Sequence, residues 1–325
     1  MRFVLLAIVV AAALLALAGC GDDDEGTGGA NGEEVTQINV GVLPISDVAP
    51  LYVGIEQGFF RDQGLEVKPR IVQGGAEVVT GVVSGDFEFG FAATEPIILA
   101  KAEGLPLKIV TTGNQAAEDP KQAWTGLMVK EDGPIDEPAD LEGRTIAVNA
   151  LQSTPQLATL SMLDEAGVNI DSLEFIEAPF PDMPAALDAG RVDAVTAAEP
   201  FLPQIRAAGG TSLGDYFYEL EPGMTIGTYF TTDQRIGEDP ELIESFATAM
   251  NESLEYAQAN EEQARAAIGT FTEIPPPVLK EIALPPWSSD LRRPTIQLMA
   301  DQALKYGFIE EPVEADSIIW EGATG

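Results

Sequence analysis

The sequence predicts an α/β protein built from two related lobes, and three observations carry that prediction. From Gln37 onward, short apolar runs alternate with amphipathic stretches, the pattern of βαβ units. About 290 residues follow an acidic N-terminal segment, enough chain for two lobes with a sizeable core each. A glycine-led hydrophobic strand that breaks into an acid-proline helix start occurs twice. Gly85-Asp86-Phe87-Glu88-Phe89-Gly90-Phe91-Ala92-Ala93-Thr94-Glu95-Pro96 can be laid over Gly190-Arg191-Val192-Asp193-Ala194-Val195-Thr196-Ala197-Ala198-Glu199-Pro200, with the registers one residue apart at the proline.

The elements follow in order. Residues 38–43 read as a strand ending at Pro44, 51–60 as a helix with Gly64 after it, and 65–72 as a strand. Gly74-Gly75 opens a helix through Val83, 87–92 is the next strand, and Pro96 sits where a first-turn proline belongs in a helix running to Ala102. A strand over 107–112 precedes a looser region around 116–120. Strands over 127–130 and 145–149 flank the turn at 131–134, followed by a helix over 154–165 and a strand over 173–177. A helix at 183–189, a strand at 192–196 and a helix at 200–208 come next, and a strand at 226–231 carries the chain back. Beyond Asp239 the pattern is helical, over 240–268, 277–284 and 294–306.

The first twenty residues have the order of a secretory leader: Arg2, an uncharged apolar run from Phe3 to Leu17, then Leu17-Ala18-Gly19-Cys20. That ending resembles the bacterial lipobox, in which the cysteine is diacylated and becomes the mature N-terminus. Residues 1–20 are therefore expected to be a lipoprotein signal peptide and Cys20 the lipidated residue. The acid- and glycine-rich stretch 21–35 cannot bury enough apolar surface to order itself, and is expected to be a flexible tether.

Composition excludes several functions. With 17 Lys and Arg against 53 Asp and Glu, the net charge of −36 argues against nucleic acid or an anionic lipid surface as partner. A single cysteine rules out an intrachain disulfide and a cysteine-based metal site. The absence of histidine removes Ser-His-Asp and Cys-His catalysis and the commonest zinc ligand. No metal and no cofactor are expected.

Three blocks resemble a known family. The first runs Gly41-Val42-Leu43-Pro44, Ala49-Pro50-Leu51-Tyr52-Val53-Gly54, Gly58-Phe59-Phe60 and Gly64-Leu65-Glu66-Val67. The second is Gly126-Leu127-Met128-Val129-Lys130 with Pro138-Ala139-Asp140-Leu141-Glu142-Gly143-Arg144-Thr145-Ile146-Ala147-Val148. The third is Ala185-Ala186-Leu187-Asp188-Ala189-Gly190-Arg191-Val192-Asp193-Ala194 with Glu199-Pro200-Phe201. In that order they resemble the nitrate/sulfonate/taurine and thiamine-precursor (pyrimidine) family of ABC transporter solute-binding lipoproteins. The resemblance implies a type II periplasmic-binding-protein fold with a hinge and an interlobe cleft. Lobe one would comprise 36–115 plus 231–325 and lobe two 116–230, with crossings near 113–125 and 228–232. It also implies a monomer on the extracytoplasmic face of the membrane, whose partners are a small-molecule ligand and ABC permease and ATPase subunits.

In open α/β sheets ligands bind outside the carboxyl ends of strands, where helix N-termini offer free N–H groups and partial positive charge. Five turns qualify: Ser46-Asp47-Val48-Ala49 with Tyr52, Gln73-Gly74-Gly75-Ala76, Ala93-Thr94-Glu95, Gln152-Ser153-Thr154, and Glu199-Pro200-Phe201. Gly227, Thr228 and Tyr229, near the second crossing, join them. The expected ligand-binding residues are Asp47, Tyr52, Gly74, Gly75, Ala76, Thr94, Glu95, Ser153, Thr154, Glu199 and Thr228, with no catalytic residue. Ser153, Thr154 and Thr94 are equally ordinary N-cap types, Gly74 and Gly75 equally serve a tight turn, and Tyr52 equally fits a core. None of the five turns holds Lys or Arg, so a bare dianion would lack a countercharge. A sulfonate- or taurine-like monoanion or zwitterion is favoured narrowly over a thiamine-precursor pyrimidine. A ligand-sensing module for a membrane receptor would share the same fold. An enzyme of pyrimidine biosynthesis is disfavoured, because relatives with that chemistry depend on histidine; paired carboxylates such as Glu95 and Glu199 could in principle serve as acid and base, but they fall at helix starts of opposite lobes with no nucleophile beside them.

Overall fold

The computed structural model describes residues 35–272 and 274–323. The leader, Cys20 and residues 21–34 of the expected tether lie outside the described residues.

The first apolar run forms β1 (Thr36–Val42), which pairs in parallel with β2 (Leu65–Ile71) on one side and β3 (Phe89–Ala93) on the other. The crossovers are helical: α1 (Ala49–Gln57) and α2 (Phe59–Asp62) lead into β2, and α3 (Gly75–Ser84) leads into β3. After β3 come α4 (Thr94–Ala102) and β4 (Leu107–Gln115). The chain then crosses to β5 (Thr125–Lys130), β6 (Thr145–Val148), α5 (Thr154–Glu165), β7 (Glu174–Glu177), α6 (Met183–Asp188), β8 (Ala194–Ala198), α7 (Leu202–Ala207), β9 (Gly210–Ser212) and α8 (Tyr216–Leu220). It returns through β10 (Thr225–Thr232) to α9 (Asp233–Glu238), α10 (Pro240–Ala259), α11 (Glu261–Phe271), α12 (Pro276–Leu279) and α13 (Arg293–Lys305).

Two five-stranded sheets result, with orders β2-β1-β3-β10-β4 and β7-β6-β8-β5-β9. In each, two parallel crossovers bring three strands together and an antiparallel strand follows: β10 beside β3, β5 beside β8. The internal echo at 85–96 and 190–200 falls on β3 running into α4 and β8 running into α7, which hold the same third place in their sheets. Strand β8 is buried at every residue, as expected of a strand covered on both faces.

Several expectations need correction. Residues 225–230 are expected in lobe two, but β10 lies in the first sheet, pairing Thr228 with Ala92 and Thr112. The second crossing therefore precedes Thr225 instead of falling at 228–232, because ladder hydrogen bonds to both neighbours hold the whole strand in the first sheet. The helix expected over 240–268 is two helices broken at Asn260 (φ −131°, ψ 64°). The Asn260 side chain donates to the Tyr256 carbonyl at 2.8 Å, competing with the helical ladder. The helix expected over 277–284 stops at Leu279, where the Arg265 guanidinium takes the Leu279 and Ile282 carbonyls at 3.0 and 2.7 Å, and Pro285-Pro286 follow.

The core of the first sheet is aromatic on the α10 side. Phe246 stacks on Phe89 at 3.9 Å and 8° and meets the edge of Tyr229. Helix α1 packs so closely on α10 that a Cβ at Gly54 would lie 1.9 Å from Ser253 Oγ, so glycine there permits the approach. No helix among the described residues is long and apolar enough to cross a membrane.

Candidate functional site

A cavity of about 350 Å³ lies at the carboxyl ends of the parallel strands and takes walls from both sheets. This is where strand-to-helix turns gather in an α/β sheet. From the first sheet come Leu43, Ile45 and Asp47 after β1, Gly75 and Ala76 at the start of α3, and Ala93 with Pro96 at the start of α4. From the second come Asn149 to Pro155 between β6 and α5, Phe180 after β7, and Ala198 at the end of β8. Trp124 on the first crossing and Tyr216 and Phe217 of α8 complete an aromatic lining.

Helices α3, α4 and α5 all begin at the cavity, and α3 and α5 do so from different sheets. Helix α3 has Gly74 as N-cap with no side-chain cap, so its first N–H groups remain available beside Gly75. Helix α5 has Ser153 as N-cap, and its hydroxyl turns back to Asn149 Oδ1 at 3.3 Å without capping the helix. The Thr154 hydroxyl is buried without a hydrogen-bond partner. Each sheet thus contributes at least one helix N-terminus with uncommitted donors.

Asp47 is the buried acid of the cavity wall. Its Oδ2 accepts from Asn114 Nδ2 at 3.0 Å, its backbone carbonyl accepts from Trp287 Nε1 at 3.1 Å, and its Oδ1 has no hydrogen-bond partner. Burial pushes its carboxyl up to about 7, against the opposing effect of its hydrogen bonds.

Of the residues singled out in the sequence, Asp47, Gly75, Ala76, Ser153 and Thr154 line the cavity, as does Gly227. The other six expected residues lie outside its lining. Tyr52 faces away and stacks on Phe271 of α11 at 4.2 Å, so it belongs to helix packing. Gly74 caps α3 from outside the lining. Thr94 donates its hydroxyl to the Ile226 carbonyl at 3.0 Å, tying α4 to β10. Glu95 is fully buried in the first turn of α4 with neither carboxyl oxygen partnered, and burial raises it well above the usual carboxylate range. Thr228 lies inside the first sheet. Glu199 is a junction: its Oε1 accepts from Ala283 N at 3.2 Å, its N–H donates to the Trp124 carbonyl at 2.9 Å, and its carbonyl accepts from Ser46 Oγ at 3.3 Å.

Glu199 reaches a strap formed by residues 280–292. The Pro286 carbonyl accepts from Gln115 N at 2.9 Å, Trp287 N–H donates to Gln258 Oε1 at 2.7 Å, and Arg292 N–H donates to Thr225 Oγ1 at 3.1 Å. The strap therefore binds both crossing segments and the Asp47 backbone at once, and Glu199 joins it to the second sheet.

The sequence reading missed the aromatic lining. Trp124 sits within the expected first crossing, where a bulky apolar residue in a looser region was the available signal. Phe180 stands alone between two prolines and α8 is five residues long, so neither has a periodicity to betray it.

Comparison with known proteins agrees with this architecture. The family model described as NMT1/THI5 like matches residues 45–264. The taurine-binding periplasmic protein of Escherichia coli (strain K12) is 23% identical over 65% of this chain and 63% of its own length. The formylaminopyrimidine-binding protein of Halalkalibacterium halodurans is 27% identical over 56% of this chain and 52% of its own length. The matches thus span between half and two thirds of those relatives. Among solved structures, the periplasmic aliphatic sulphonate binding protein SsuA from Escherichia coli superposes with a TM-score of 0.73, covering 89% of this chain and 98% of that one at 19% identity. The chain has the periplasmic-binding-protein fold.

Proposed function

The chain belongs to the NMT1/THI5-like family, and from that premise we propose that it is the extracytoplasmic solute-binding component of an ABC importer. It is a binding protein, not an enzyme, held at the membrane by a lipid on Cys20 and delivering a small organic solute to permease and ATPase subunits. The observation that carries this reading is the cleft itself. Two sheets aim the starts of α3 and α5 into one apolar cavity, so a solute touching both halves favours their closed arrangement by its differential affinity. Glu95 and Glu199, the carboxylates the sequence offered for acid–base work, both lie outside that cavity, which supports recognition without a chemical step.

A sulfonate- or taurine-like solute suits the two helix N-termini, which favour a monoanionic head group. The lining by Trp124, Phe180 and Phe217 favours a second reading, an aminopyrimidine stacked on aromatic faces. Isothermal titration against taurine, ethanesulfonate and a 4-aminopyrimidine separates the two. Binding of taurine with heat and saturation supports the first reading, and binding of the pyrimidine alone transfers support to the second. A protein that takes up none of the three has a different solute class.

A further inference from the structure

The wall of the cleft carries acid and no base. Among the described residues, Asp47 and Glu103 are its acidic ones, the Tyr216 phenol its other titratable group, and neither Lys nor Arg lines it. Asp47 is only 5% exposed, and it is fixed at both ends by the Asn114 amide and the Trp287 indole. Its Oδ1 is left as an acceptor with nothing to accept from. Because Asn114 commits its Nδ2 to Asp47, the Asn114 Oδ1 is a second unpartnered acceptor. That oxygen lies against Gly227, a residue of the cavity wall, where a Cβ would come within 2.2 Å of it. The Asp47 carboxyl and the Asn114 amide, joined through Oδ2 and Nδ2, each keep one buried oxygen unpartnered, and such acceptors attract N–H donors and repel oxyanions.

We propose that Asp47 is the specificity-determining residue of the cleft, and that it selects solutes carrying an amine or amidine-type N–H group while rejecting matched oxyanions that lack one. The inference rests on the cleft being the binding site. Within the proposed solutes it accepts taurine through its ammonium and aminopyrimidines through their exocyclic amine, and it excludes plain alkanesulfonates. A bound ammonium gives Asp47 a charge-assisted partner that the protein does not supply, and leaves the sulfonate end for the α3 and α5 N-termini. The phenols of Tyr216 and Tyr229, both buried, are held neutral well above their ordinary range, so neither competes as an anion.

The test uses matched pairs titrated calorimetrically into the wild-type protein, Asp47→Asn and Asp47→Ala: taurine against ethanesulfonate, and 4-amino-2-methylpyrimidine against 2-methylpyrimidine. The N–H-bearing member of a pair is expected to bind the wild type at least 30-fold more tightly, and both Asp47 variants are expected to lose most of that preference. The melting curve of Asp47→Asn, which keeps a side-chain carbonyl to accept from Asn114 Nδ2, should stay close to the wild type, whereas Asp47→Ala leaves that donor unpaired and should melt lower. Equal affinity within each pair, an undiminished preference in the variants, or no binding by any amine overturns the proposal. Gly75→Leu, which obstructs the cleft, separates the two levels. Binding that survives it overturns the cleft as the site, whereas binding lost in Gly75→Leu but indifferent to N–H groups overturns the role of Asp47 alone.

Discussion

Gly75→Leu is expected to lower solute affinity at least about 100-fold, equivalent to roughly 3 kcal/mol, with the melting temperature within a few degrees of wild type. Gly75 is the first residue of α3 and part of the cavity wall. A Cβ there would sit 3.2 Å from Pro96 Cγ and 3.5 Å from Ala92 Cβ, so the first carbon fits once Pro96 gives by a few tenths of an ångström. The rest of the leucine then extends over the N–H groups at the helix start and into the space the solute needs. Gly74→Ala is the control: its Cβ would meet nothing within 4 Å, and its φ of −154° is extended backbone that alanine adopts freely. Titration of both variants with the best-bound solute, beside their melting curves, checks the pair. If Gly75→Leu binds as wild type does, the start of α3 is not part of the site.

The second large effect is a fall in stability as pH rises. Burial raises Asp47 to about 7 and Glu199 to about 7, lifts Glu95 well above the usual carboxylate range, and raises Asp215. Each group holds its proton more tightly folded than unfolded, so the unfolded chain binds fewer protons above the ordinary carboxylate range, and stability declines with pH. The decline begins near pH 4 and, for Asp47 and Glu199, is complete once pH passes 7. Each of those two costs the folded state on the order of 3–4 kcal/mol across that window. Asp164, drawn below its ordinary value mainly by the Lys305 hydrogen bond, acts in the opposite sense only at lower pH. Repulsion within a chain of net charge −36 reinforces the decline. Scanning calorimetry should show a melting temperature roughly 10 °C or more higher at pH 5 than at pH 8. Glu199→Gln keeps an acceptor for Ala283 N–H without the titration, and should flatten the profile by raising the pH 8 value. An unchanged slope in that variant would remove Glu199 from the account.

Much of this architecture was legible because apolar period and punctuation agreed. Helix α5 runs Thr154–Glu165, the stretch marked by Ser153 as cap and an unbroken helical pattern. Strand β1 carries Val40 and Val42 ahead of Pro44, β2 alternates Leu65 and Val67 with Glu66 and Lys68 after Gly64, and β3 carries Phe89 and Phe91 ahead of Pro96. What stayed hidden had little pattern to read. Strand β9 has three residues and α8 five, below the length at which either period repeats. Helix starts were legible as classes of turn, which placed Gly75, Ser153 and Thr154 at the cleft. A side chain's direction was not, so Glu95 and Tyr52 looked like pocket residues until packing turned them inward. The junction made by Glu199 was not legible either: its partner Ala283 is 84 residues away, at the end of a stretch whose pattern reads as helix.

The most direct measurement is a crystal structure of the protein with the solute it retains through purification. Density is expected in the cavity, touching Asp47 and Gly75 on one side and Ser153 or Thr154 on the other. A solute bound on the outer surface of one sheet, or contacting only one of these two groups in a fully closed molecule, would contradict it.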